Sequence, residues 1–226
     1  MSDYKFREEQ YQGVFDTIEK HGTTKLGLMS NDTWCIDPKR LVFMLSRYKF
    51  VSKLVEGRQH VLEIGCADAF GSRLVRQVVP NVTVTDAESA FIDDVIAKND
   101  PMWNLIAKTH NLIDGPVEPK NFDAVFSLDV LEHVDPKDER PFLDNLVNSM
   151  IDTGIAIIGM PSLESQEYAS PASKQGHVNC KTMPKFKMLM EQYFHSVFMF
   201  SMNDEVVHTG YHKMAHYLFA VCSHKK

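Results

Sequence analysis

The chain has 226 residues, of which 44% are hydrophobic and 24% are charged, and its formal net charge is −6. This length suits one domain with a sizeable core, and the composition is that of a globular protein rather than a disordered or fibrous one. The acidic balance gives no general attraction to phosphate backbones or anionic lipids, so neither nucleic acid nor a membrane surface is expected as a partner.

The predicted elements begin with a polar N-terminal region, residues 1–57, which we expect to form a helical cap. One helix is predicted around Lys5–His21. A second begins at Asp37-Pro38, since proline suits the first helical turn and an acidic residue before it can cap free N–H groups. Its apolar positions recur at helical spacing, and it ends near Gly57.

From residue 58 to residue 222, short apolar runs alternate with helical segments. The predicted strands are His60–Ile64, Val82–Thr85, Ala107–Leu112, Phe122–Leu128, Ile155–Gly159, Val197–Ser201 and His216–Cys222. The predicted helices are Phe70–Val79, Ser89–Lys98, Pro141–Ile151 and Lys185–Tyr193. This alternation predicts an α/β fold, with a Rossmann-like, seven-stranded, mostly parallel sheet and helices on both faces. The last two strands lack an intervening helix, which predicts one antiparallel strand near the C-terminus.

The first predicted strand runs into the segment Glu63–Gly71, which reads EIGCADAFG. A turn at the carboxyl edge of a parallel sheet is where ligands bind in such folds. The GxGxxG fingerprint of pyrophosphate binding is absent. The turn carries two acids instead, Glu63 and Asp68, and carboxylates suit a ligand with a sulfonium and an ammonium group. This favours S-adenosylmethionine over NAD, although a purely structural turn would also fit these residues.

Two further acidic elements follow later strands. Asp86 ends the second strand about twenty residues after the loop, where an acid can accept hydrogen bonds from both ribose hydroxyls; a helix cap is the alternative role. The segment Phe122–Val134 switches from a buried strand to the polar group Asp129, Glu132 and His133. Polar residues at a strand's carboxyl end are typical of a site rather than of a core.

These three elements together resemble the class I S-adenosylmethionine-dependent methyltransferases, in the broad small-molecule group with a DxxEH element after strand four. The resemblance covers residues 58–222 and departs from the family where Ala67 and Ala69 replace glycines and where Asn111 replaces an aspartate. It implies S-adenosylmethionine as cofactor and S-adenosylhomocysteine as product. The cofactor contacts that it implies are Glu63, Gly65, Cys66, Ala67, Asp86, Ala87, Asn111, Leu112, Asp129 and Val130.

Two loops at the same edge are expected to form the acceptor pocket. Residues 160–183 form a long polar insertion, which predicts a substrate lid, and residues 202–208 follow strand six. The candidate substrate residues are Glu164, Tyr168, Asn179, Asn203 and His208. Their polarity favours a small polar acceptor such as a sugar, a polysaccharide precursor or a natural product, methylated on oxygen. N-methylation, or a cofactor-binding module without catalysis, is the alternative.

A hydroxyl acceptor must lose its proton as it attacks the methyl group, so a base near neutral pKa is expected. His177 and His133 are the catalytic candidates, ranked nearly level. Asp129, Glu132 and His133 offer metal ligands as an alternative, but the sequence does not place the further oxygens that an octahedral ion requires, so no metal is predicted.

Cysteine usage and targeting signals bear on the compartment. The four cysteines, Cys35, Cys66, Cys180 and Cys222, are widely spaced, which predicts free thiols in a reducing environment. With no secretory signal or membrane span predicted, the expected location is the cytoplasm. A single domain over residues 1–226 is expected, either as a monomer or as a homodimer.

Overall fold

The computed structural model describes residues 6–226, which begin with three helices: α1 (Gln12–His21), α2 (Leu28–Ile36) and α3 (Lys39–Val55). The helix predicted around Lys5–His21 corresponds to α1, and Lys5 lies outside the described residues. The sequence pattern does not predict α2, because this helix lacks an apolar face. Its one buried residue is Ser30, which is held by Asp68 through hydrogen bonds.

The strands form a single eight-stranded sheet in the order β3-β2-β1-β4-β5-β8-β6-β7. Strands β1 to β5 are parallel. The strands are β1 (His60–Ile64), β2 (Asn81–Asp86), β3 (Ile106–Thr109), β4 (Phe122–Leu128), β5 (Met150–Pro161), β6 (Phe194–Asn203), β7 (Val206–His208) and β8 (Tyr217–Lys225). The remaining helices are α4 (Ser72–Arg76), α5 (Ser89–Ala97), α6 (Glu139–Ser149), α7 (Pro171–Gly176) and α8 (Met183–Met190).

The C-terminal strands correct two details of the predicted sheet. Residues 6–226 contain eight strands rather than seven, because the three-residue strand β7 is too short to give an alternating pattern. The strand β8 lies between β5 and β6 and is antiparallel to both, and β7 is antiparallel to β6. The sheet therefore contains two antiparallel strands rather than one, while the Rossmann-like class of the fold is confirmed.

Helices cover the sheet on both faces, and each face has its own apolar core. Adjacent residues of a strand point to opposite faces, so Val61 packs into one core and Leu62 into the other. Helices α3, α4 and α5 cover the first core, and α6 and α8 cover the second. Because the sheet is buried on both sides, the carboxyl ends of β1, β2 and β4 form an accessible edge where polar groups can gather.

The long insertion between β5 and α8 is partly helical. It contains a 3₁₀ turn at Glu164–Tyr168 and the short helix α7. A bridge between Ser162 and Lys181 joins its two ends. Among residues 6–226, none of the helices has the length and apolar character needed to cross a membrane.

Candidate active site

The loop after β1 turns sharply at Gly65, which has a φ of +74°. A Cβ at this position would lie 2.2 Å from Cγ2 of Val130, the residue that follows Asp129. The amides of Gly65 and Cys66 both donate to the carbonyl oxygen of Thr85 on β2. Glycine is therefore required here both by the left-handed backbone and by the close approach of the β4 end.

Two alanines in this loop keep the backbone shape that usually selects glycine. Ala67 and Ala69 have φ values of 47° and 53°. A left-handed conformation costs an L-residue roughly 1–2 kcal/mol. The departure from a glycine-rich loop thus changes the side chains but leaves the path of the loop intact, at the expense of local strain.

Ala67→Gly should therefore stabilise the protein. The relief of strain exceeds the larger entropy of glycine in the unfolded chain, which costs about 0.4–1 kcal/mol, so the expected net gain is about 0.5–1 kcal/mol. Denaturant titration measures it. Ala87 is exposed at the same edge without a positive φ, so Ala87→Gly is the matched control and should instead destabilise. Equal effects at both positions would contradict the strain at Ala67.

Asp86 ends β2 beside the loop, as the sequence predicts. Its Oδ2 accepts a hydrogen bond from the amide of Ala67 at 2.9 Å, and its Oδ1 accepts one from the amide of Glu88 at 2.9 Å. An ionised carboxylate has about four acceptor positions. Each oxygen therefore keeps the capacity to accept a further bond, as two ribose hydroxyls require.

Glu63 has a different role from the one predicted for it. Its side chain is buried, and its two oxygens accept hydrogen bonds from the hydroxyls of Tyr48 and Ser72 at 2.5 Å each. Burial raises the pKa of its carboxyl to about 7. The group joins α3 and α4 to β1, so it is not the solvent-facing anion that the charge argument assumed, and we exclude it from the proposed cofactor contacts.

The second loop acid, Asp68, also faces a protein partner. Its Oδ2 accepts from the amide of Ser30 at 2.6 Å, and its Oδ1 accepts from the Ser30 hydroxyl at 3.0 Å. Gly27 packs so closely against it that a Cβ there would lie 2.3 Å from the Asp68 side chain. Asp68 thus fixes α2 to the loop.

The segment after β3 supplies the residues predicted to contact adenine. Asn111 is exposed, and its Oδ1 accepts from the amide of Ile113, which leaves its NH₂ group as a donor. The side chain of Leu112 is buried in the core, as is that of Cys66. For these two residues, backbone atoms rather than side chains are left to contact a ligand.

The end of β4 is held by a residue that the sequence analysis did not identify. Nη1 of Arg47, on α3, donates to both carboxylate oxygens of Asp129 at 2.8 and 2.7 Å. The Arg47 guanidinium also lies over the ring of Tyr217, 3.9 Å from its centre. Asp129 itself has a φ of 58°. Arg47 therefore fixes a strained acid at the edge of the sheet.

The two predicted catalytic histidines lie side by side, although 44 positions separate them in the sequence. The ring centres of His133 and His177 are 5.0 Å apart. With Glu132 they form a group whose nearest ligand atoms all lie within 4.8 Å of one another. Burial, followed by the charge of His133, lowers the pKa of His177. Burial, followed by the charge of Asp129, raises the pKa of Glu132 well above its usual range.

The predicted substrate residues divide into two sets. Asn179 is buried and donates to Glu139, while its Oδ1 accepts from Lys181. His208 bonds through Nε2 to Asn203 and through Nδ1 to the amide of Gly210. These contacts stabilise the lid and the β6–β7 hairpin, so we exclude Asn179, Asn203 and His208 from the proposed acceptor contacts. Glu164 and the highly exposed Tyr168 remain candidates.

Comparisons with known proteins agree with this arrangement. Residues 62–158 match the family described as "Methyltransferase domain". The fold is similar to the methyltransferase domain of bacterial CtHen1-C, with a TM-score of 0.65 and 16% identity over 81% of this chain and 97% of that one. It is also similar to the N-methyltransferase NodS from Bradyrhizobium japonicum WM9 in complex with S-adenosylhomocysteine, with a TM-score of 0.61 and 16% identity over 95% and 98% of the chains. The residues that match the family model are fewer than half of the chain, and the likeness to the two solved structures shows that the chain has the fold of these methyltransferases.

A curated relative of this chain is the ubiquinone biosynthesis O-methyltransferase of Rickettsia canadensis (strain McKiel). The two are 28% identical over 156 residues, which are 63% of this chain and 63% of the relative. The match thus spans less than two thirds of the relative's length.

In the described residues, the site fits S-adenosylmethionine at three points. Gly65 leaves the backbone of the loop without a covering side chain of its own at the edge of the sheet, Asp86 keeps free acceptor positions, and Asn111 keeps a free donor. These are the groups that would hold the methionine, ribose and adenine parts of S-adenosylmethionine. When bound, the cofactor supplies an electrophilic methyl group on a positively charged sulfur.

Proposed function

We propose that this protein is a methyltransferase that transfers the methyl group of S-adenosylmethionine to a hydroxyl oxygen of a small polar acceptor and releases S-adenosylhomocysteine. The observation that carries the proposal is the pairing of His133 and His177 next to Asp129 and Val130. Two proton-accepting nitrogens from separate segments therefore lie close to the carboxyl end of β4, which supports a reaction assisted by a base.

The hydrogen bonds of the two histidines fix which nitrogen is free. Nδ1 of His133 lies 2.9 Å from the carbonyl oxygen of Gly176, which can only accept, so Nδ1 carries the proton. Nδ1 of His177 lies 2.7 Å from Oε1 of Gln166. In the neutral form of each ring, the lone pair is therefore on Nε2, which is the atom that would meet an acceptor group.

Methyl transfer is an in-line displacement in which the acceptor oxygen forms a bond to the methyl carbon as the bond from carbon to sulfur breaks. Aligning the two reactants supplies much of the rate. Removing the hydroxyl proton supplies more, since a positioned base contributes about 10²–10⁴-fold. The name of the Rickettsia canadensis relative, an O-methyltransferase, supports oxygen as the accepting atom.

The test is formation of S-adenosylhomocysteine with a panel of phenols, sugar alcohols and amines, measured by mass spectrometry. A methylated hydroxyl product is expected. Methylation of amines alone would refute the oxygen assignment. Binding of the cofactor without turnover of any acceptor would favour a non-catalytic module, and preferential binding of NAD would favour an oxidoreductase.

His177→Ala should lower the turnover number about 100-fold or more, while the affinity for S-adenosylmethionine changes little. His195 is exposed at the start of β6, at the opposite edge of the sheet, so His195→Ala is the matched control. Steady-state kinetics with the best acceptor, together with calorimetry of cofactor binding, separate the two effects. Wild-type turnover in His177→Ala but not in His133→Ala would assign the reaction to His133 instead.

A further inference from the structure

We infer that Glu132, His133 and His177 form a binding site for a divalent transition-metal cation that holds the acceptor hydroxyl. This inference rests on the proposed function for the role of the cation, but the existence of the site stands on its own geometry. It departs from the sequence-based expectation of no metal, because His177 is brought to Glu132 and His133 only by the folded lid.

The ligand atoms are close enough for a shared ion. One nitrogen of each histidine and one oxygen of Glu132 all lie within 4.8 Å of one another. Bonds of about 2 Å in a tetrahedral site place ligand atoms roughly 3–4 Å apart. Side-chain rotations that move the ligand atoms by about an ångström would complete the site. His133 is exposed and is therefore able to make such a rotation.

Glu132 gives an independent indication of a missing cation. Its side chain is 1% exposed, yet neither of its two oxygens has a hydrogen-bond partner among the described residues. Buried carboxylates are ordinarily paired with a cation or a donor. Protonation of the Glu132 carboxylate would not satisfy its hydrogen-bonding needs, because the new O–H group would itself lack an acceptor. The charge of Arg47 acts on Glu132, but Nη1 of Arg47 donates to the two oxygens of Asp129 and not to Glu132.

The surroundings orient both histidines as metal ligands. A ligating histidine characteristically donates its other ring N–H to a carbonyl or carboxylate oxygen. Here His133 donates from Nδ1 to the Gly176 carbonyl, and His177 donates from Nδ1 to Gln166. Gln166 is fixed in turn, since its Nε2 donates to the Ser162 carbonyl and to the Ser165 hydroxyl.

The donor set indicates the class of ion. Two imidazoles and one carboxylate suit Zn²⁺, Fe²⁺, Mn²⁺ or Co²⁺, whereas Mg²⁺ prefers oxygen ligands throughout. Three protein ligands leave open positions, as in catalytic zinc sites. An acceptor hydroxyl in an open position would become more acidic and would be held in place. In the loaded protein the histidines would then be ligands, and the metal-bound oxygen would pass its proton to solvent.

Metal binding can be measured without any activity. The full chain is treated with a chelator and titrated by calorimetry with Zn²⁺ and, separately, Mn²⁺, and its metal content is determined by mass spectrometry. One ion per chain is expected, with a Kd of about 10 μM or below. His177→Gln and His133→Gln should weaken binding more than ~100-fold, while Gln166→Ala should weaken it about 10–100-fold. The matched control is His195→Gln, which should bind as the wild type does.

Glu132→Gln removes the charge with little change in shape and should also abolish binding. If that variant fails to fold, the exposed His133→Gln variant still decides the question. No stoichiometric binding of either ion, or equal binding by wild type and His177→Gln, would overturn the site. If hydroxyl methylation continues in the presence of a chelator, the bound cation has no catalytic role, while the proposed function stands. Tight binding with no methylation of any acceptor would retain the site and refute the function.

Discussion

Glu63→Gln should change how the stability of the protein depends on pH. The buried carboxyl has a pKa of about 7 in the folded chain, against an ordinary value of 4.5. Between these values the folded state holds a proton that the unfolded state has released. Stability from this group is therefore full below about pH 4.5 and falls as pH rises to about 7. The loss is on the order of 3 kcal/mol, and glutamine should abolish it.

The measurement is the free energy of unfolding of wild type and variant in denaturant, at intervals from pH 4.5 to 8. Glutamine keeps an oxygen that can accept from Tyr48, and the Ser72 hydroxyl can turn to accept from its NH₂ group. Tyr48→Phe provides the control. The hydrogen bond from Tyr48 lowers the pKa of Glu63, so its removal in Tyr48→Phe should raise that pKa further and enlarge the loss of stability between pH 4.5 and 8. In a chain that already carries Glu63→Gln, Tyr48→Phe should leave the pH dependence of stability unchanged. Parallel profiles for wild type and Glu63→Gln would refute a raised pKa.

Asp86→Ala should weaken the binding of S-adenosylmethionine about 10- to 100-fold. The variant removes two hydrogen bonds between a charged carboxylate and ribose hydroxyls, which are worth about 1.5–3 kcal/mol. Calorimetric titration with S-adenosylmethionine and with S-adenosylhomocysteine measures the change. Both ligands carry the same ribose, so equal losses are expected.

Asp86 also anchors the amides of Ala67 and Glu88, so the loop itself must be checked. Asp86→Asn keeps one oxygen acceptor and should fall between alanine and wild type. Asp93, exposed on α5, supplies the matched control Asp93→Ala, which should bind as tightly as the wild type. An unchanged affinity in a folded Asp86→Ala protein would exclude Asp86 from the ribose site.

The parts of the site that follow from strand ends were predictable from the sequence. Gly65, Asp86 and Asp129 lie where the alternation of strands and helices places them, because parallel strands deliver their carboxyl ends to one edge. The same reasoning failed for Glu63. An acid at a strand end can face either the ligand or the core, and the sequence pattern does not distinguish them.

Contacts between distant segments could not be predicted. Arg47 and Asp129 are 82 positions apart, and the apolar periodicity of α3 gives no sign that one of its basic residues turns to the sheet. The grouping of His177 with Glu132 and His133 depends on the path of the lid. The sequence therefore supplies candidate residues of the right chemistry, while tertiary packing determines which of them meet.

The hydrogen bonds from Ser30 to Asp68 have a practical consequence for anyone who shortens this protein. The family match begins at residue 62, which invites removal of the helices before it. Cutting the chain before Lys39 would delete Ser30 and Gly27 together and leave the Asp68 carboxylate without the partners and the backbone that cover it. A shortened fragment should therefore start no later than about Gly27, with α2 counted as part of the cofactor site.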